Sequence, residues 1–141
     1  MFTPNREQAR GFFIQAWKKH NNKQPLSPLE AMAVDCIQLH PEYHAILEDP
    51  EQLYKDFRVE DGKINPFLHL SMHLAIAEQL SIDQPPGIKA SYKLLCKRYS
   101  AHDAIHQIME CLGEVIWEAQ RLGSPFSNEK YLELLQRRAS R

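Results

Sequence analysis

Cysteine is scarce in this 141-residue chain, and what there is lies scattered: Cys36, Cys96 and Cys111 are single, odd in number and form no CxxC. That excludes a disulfide framework and a zinc knuckle, and a reducing cytoplasm is the expected compartment. Glycine is scarce too, five residues in all, and no GxGxxG, Walker loop or GxSxG occurs. The usual nucleotide sites and the α/β-hydrolase nucleophile are therefore missing. No apolar run approaches the roughly 20 residues that span a bilayer, and the start MFTPNREQAR has no basic-then-apolar leader pattern. The net charge of −1 supplies no long-range field for nucleic acid or an anionic membrane. No stretch alternates as a strand would. The ExxH pair of ferritin-like di-iron bundles is absent as well.

What remains is punctuation for helices. Thr3-Pro4 is a cap followed by a proline at the first helical position, leading into REQARGFFIQAWKKH with Phe12, Phe13, Ala16 and Trp17 on one face. Ser27-Pro28-Leu29-Glu30 is a capping box for LEAMAVDCIQL, which must stop or kink near His40 because Pro41 follows. PEYHAILE reads as a short piece, and Asp49-Pro50 opens another over EQLYKDF. RVEDGKI is a turn-rich link. Asn65-Pro66 starts the helix of NPFLHLSMHLAIAEQL, apolar nearly all round and so expected to be buried. The loop SIDQPPG ends it, IKASYKLLCKRY is short and amphipathic, and Ser100 with Asp103 caps a long helix over 101–122 closed by Gly123. NEKYLELLQRR is the last helix. The expected fold is all-α: one helical domain over residues 1–141, a compact bundle of about four longer helices with several short helices at bends.

Six of the seven histidines form pairs four residues apart, the spacing that lets two imidazoles on one helix face a common ion. His69 and His73 are the best pair, since two buried imidazoles need partners or a metal. His40/His44 straddles Pro41, which breaks the common face; His40 is expected to be a helix-end residue near solvent, while His44 has Glu48 at helical spacing. Of the pair His102/His106, His102 borders the apolar stripe of the long helix and His106 lies further round. Beyond it Glu110, Glu114 and Glu118 form a ladder of like charges, which implies a solvated face or a cation: a metal shared with His106, or arginines from another helix. Trp117 on that side suggests that it is covered. Glu78 faces away from His69 and is expected to be a buried salt-bridge partner.

The runs HPEYHAILEDPE, NPFLHLSMHLAIAEQLSIDQPPGI and HQIMECLGEVIWEAQR resemble an uncharacterised family of small bacterial proteins classed only as a domain of unknown function. The resemblance covers nearly the whole chain and implies a single-domain bacterial protein, with no activity or cofactor attached. From the residues themselves, the first expectation is a metal-binding protein of the cytoplasm. His69 and His73 would be ligands with His106 and Glu110 opposite, and His44 and Glu114 next, around iron, zinc or manganese. The alternative is a non-catalytic interaction or regulatory module. Its His/Glu network would be structural, and its partner contact would be the loop from Ser81 to Ile88, with Ile82 and Ile88 exposed.

Overall fold

A computed structural model describes residues 6–49, 51 and 65–140. Among them the fold is all-α, with no strand. The helices are α1 (Arg6–Asn21), α2 (Pro28–Gln38), a 3-10 turn (Pro41–Tyr43), α3 (His44–Leu47), α4 (Pro66–Ile82), α5 (Ile88–Leu95), α6 (Ala101–Leu122) and α7 (Asn128–Ser140). The Thr3-Pro4 start, the EQLYKDF piece beyond Glu51 and the RVEDGKI link lie outside the described residues.

The caps act as their sequences dictate. Ser27 Oγ accepts from Glu30 N at 3.1 Å while Glu30 Oε1 accepts from Ser27 N at 2.9 Å, so two N–H groups that α2 leaves unpaired are satisfied reciprocally. Asn65 Oδ1 accepts from the N–H groups of Phe67 and Leu68 at 3.0 and 3.2 Å, and Pro66 sits where a missing N–H costs nothing. Ser100 Oγ takes the N–H of Asp103 at 3.1 Å. Gly123 ends α6 in the left-handed region at φ 64°, where a glycine is unstrained.

The chain divides into two compact units, residues 1–74 and 75–141. In the first, α1 packs on α2 and α3. Its core joins Phe13, Ala16 and Trp17 of α1, Ala33, Val34, Cys36 and Ile37 of α2, Leu47 of α3, and Phe67, Leu70 and Leu74 of α4. In the second, α5, α6 and α7 pack pairwise. Ile108, Leu112 and Val115 of α6 are buried there, as are Tyr131 and Leu135 of α7. Tyr131 Oη donates to Gln79 Oε1 at 2.8 Å, and burial pushes that phenol well above its ordinary range.

Two sequence expectations need correction here. Helix α4 is not buried all round: Leu68 is 59% exposed and Glu78 is exposed, so this carboxylate stays in water and requires no salt bridge. Ile82, the last residue of α4, is 67% exposed as expected, but Ile88, the first residue of α5, is fully buried and belongs to the core. The loop between them is held by Asp83, whose carboxylate accepts from the Lys89 N–H at 3.0 Å and the Gly87 N–H at 3.3 Å. Those N–H groups, Lys89 first, hold the carboxyl below its usual range.

Candidate metal centre

Helix α2 cannot continue through His40, because Pro41 disfavours the α conformation in the residue before it. His40 turns out at φ −128° and ψ 69°. Its ring folds back over the helix end, where the last carbonyls lack intrahelical donors. Nδ1 of His40 lies 2.8 Å from Cys36 O. A carbonyl only accepts, so Nδ1 carries the proton and Nε2 of the neutral ring keeps its lone pair. This is the arrangement that orients an imidazole toward a metal.

That lone pair meets the two histidines of α4. His69 Nε2 stands 3.1 Å from His40 Nε2. The three rings form a near-equilateral group, with centroids 4.9 Å (His40–His69), 4.6 Å (His40–His73) and 4.9 Å (His69–His73) apart, each pair edge to face. One nitrogen of each lies within 4.8 Å of the others. His40 and His73 are each 3% exposed, and His69 is half-buried. Two nitrogens bound to one ion at about 2.0–2.1 Å stand roughly 2.9–3.4 Å apart at octahedral to tetrahedral angles. The 3.1 Å separation falls inside that interval. It is also a hydrogen-bond length, so in the absence of an ion His69 donates to His40, and an ion would take the place of the shared proton.

Tyr43 walls one side. Its ring stacks on His40 at 5.3 Å and 7°, and meets His69 edge-on at 6.1 Å. Burial, with Glu42 second, raises the phenol above its ordinary value. Below the cluster, burial pushes the Cys36 thiol up to about 11. It is the backbone carbonyl of this residue, not its sulfur, that serves the site.

The sequence candidates fall differently. His69 and His73 are brought together as their spacing predicts, and the histidine that joins them within the first unit is His40. It is buried rather than near solvent. Pro41 hid it: helical periodicity stops there, and His40 reaches His69 across 29 residues of sequence. The one legible signal was a histidine at a helix end directly before proline, where its ring can reach back to a carbonyl of the last turn. His44 turns elsewhere, with Nε2 3.0 Å from Ile37 O and its ring 4.4 Å from Trp17, and Glu48 is exposed.

His106, Glu110 and Glu114 lie on α6, in the second unit. His106 is half-buried, its ring 4.4 Å from that of His102. Glu110 accepts from Arg138 of α7 at 2.5 Å, and this bond raises the guanidinium above its ordinary value. Glu118 pairs with Lys130 of the same helix. Two of the ladder's three carboxylates thus meet cations from α7, while Glu114 is exposed. The side that Trp117 was expected to find covered is open: the indole is 60% exposed, with Arg121 5.0 Å above its ring.

Among the described residues no helix is long and apolar enough to cross a membrane. No curated protein and no solved structure matches this chain. The family model described as Domain of unknown function (DUF1841) matches residues 5–137, nearly the entire length, and the chain belongs to that family.

Proposed function

We propose that this protein binds a single divalent transition-metal ion through His40, His69 and His73. The observation that carries this reading is the His40 ring. Its Nδ1–H is committed to the Cys36 carbonyl, and its Nε2 points at His69 Nε2 3.1 Å away. A histidine placed only to satisfy the end of α2 would have no need of two further imidazoles within reach. Three neutral imidazoles suit zinc or iron(II) better than manganese, which favours carboxylate and water oxygens. Three protein nitrogens are also the ligand count of catalytic zinc sites, which keep a further position for water or substrate. His106 is the additional ligand that the sequence reading proposes. The three thiols are free, which agrees with the reducing cytoplasm proposed for the protein.

Elemental analysis of untagged protein from metal-replete cells is the test. The expected result is close to one equivalent of zinc or iron, lost in His69→Ala/His73→Ala and reduced at least tenfold in affinity by His40→Ala. His44→Ala should keep its metal, because His44 bonds a carbonyl outside the cluster. His106→Ala, measured alongside, keeps the metal if three ligands suffice and weakens it if His106 is a fourth. Circular dichroism confirms that each variant is folded. Wild-type protein that is metal-free and takes up neither zinc nor iron(II) on titration would overturn the proposal.

A further inference from the structure

We propose that the outward stripe of α6 is a self-association surface that joins two copies of this chain through an antiparallel pair of α6 helices. Glu110, Glu114, Trp117 and Arg121 follow one another at intervals of four, three and four residues, so they line one face, and all four are exposed. An indole 60% exposed is unusual for the residue type that dominates buried interfaces.

The charges name the occupant. Glu110 and Glu118 are already paired with Arg138 and Lys130 of their own chain. Among the described residues neither Glu114 nor Arg121 forms an ion pair, and the Arg121 guanidinium lies over the Trp117 ring. The two lie seven residues apart, about 10.5 Å along the helix axis. An antiparallel copy turned about the midpoint between them sets Glu114 against the second Arg121, and Arg121 against the second Glu114. That midpoint falls between positions 117 and 118, so the two indoles meet beside the two-fold axis. The stripe is therefore complementary to itself, which is what an isologous interface requires. A partner carrying one sign of charge would match half of it and oppose the other half.

Charge swapping tests this. Sedimentation across a concentration series should show a reversible dimer for the wild type. Each reversal replaces two symmetric attractions by two repulsions, so Glu114→Lys alone and Arg121→Glu alone should each weaken association about tenfold or more. The double variant Glu114→Lys/Arg121→Glu should restore it, and Trp117→Ala should abolish it. All these positions are exposed, so the variants keep their fold, which circular dichroism checks. A wild type monomeric at millimolar concentration overturns the proposal. So does a dimer indifferent to the single reversals, or one that the double variant fails to rescue.

Discussion

At Cys36 two atoms of one residue have separate fates. The carbonyl holds the proton-bearing nitrogen of His40, while the thiol is buried and pushed up to about 11 by desolvation, with Asp35 second. At neutral pH such a sulfur is almost wholly protonated and is a poor nucleophile. Cys111 is also buried, and Cys96 is exposed. Alkylation of the native protein near pH 7 should therefore modify Cys96 and leave Cys36 and Cys111 until the chain unfolds. Mass mapping of the modified peptides checks this, and rapid labelling of Cys36 would mean that the end of α2 opens readily. The same residue shows why the site was only half legible. His69 and His73 share a helix, so their spacing placed them on one face. Nothing local in HPEY tells that His40 turns inward, because its direction is set by a helix-end carbonyl whose i+4 donor, the His40 N–H, bonds Ile37 O instead, and by a helix far along the chain. Trp117 makes the complementary point: periodicity assigns a residue to a side of its helix but is silent on whether anything stands opposite.

Among elements, the helix boundaries were the most legible feature, because each is fixed by atoms within four residues of the cap. Helix α6 runs over the residues expected of it, from the Ser100 cap to Gly123. Helix α4 runs on to Ile82, past the start of the SIDQPPG loop that was expected to end it. For α2 the cap also has a pH dependence whose sign can be worked out. Glu30 accepts from Lys19 Nζ at 2.8 Å and from the Ser27 N–H at 2.9 Å, and these bonds, Lys19 first, hold its carboxyl below the ordinary 4.5. A carboxyl lowered by folding adds stability that is fully present above its unfolded value and is lost as the pH falls through the lowered one. The melting temperatures of wild type and Glu30→Gln should therefore differ by a constant amount at neutral pH. The gap should close below about pH 4.5, as the wild-type carboxylate takes up its proton. A gap unchanged down to about pH 3 would show that the charge of Glu30 contributes nothing. Removing the other half of the box, as Ser27→Ala, should cost about 1 kcal/mol at neutral pH.

For the whole molecule, the division into residues 1–74 and 75–141 gives the proposed metal binding a location as well as a magnitude. His40, His69 and His73 all fall in the first unit, at the end of α2 and in the first two turns of α4. An ion held there ties together two points 29 residues apart in sequence. A ligand that binds only the folded state stabilises it by about 2.7 kcal/mol at a free concentration 100 times its dissociation constant, or about 100-fold in the opening equilibrium. Hydrogen exchange with and without saturating zinc should therefore slow in α2 and at the start of α4, by up to about that factor. The amides of α7, which carries none of the three imidazoles, report whether the units open together. If they open separately, α7 should exchange at the same rate in both samples. If they open as one, its protection rises along with that of α2. Exchange that is unaltered in α2 and α4 at saturating zinc would remove the metal from these three histidines altogether.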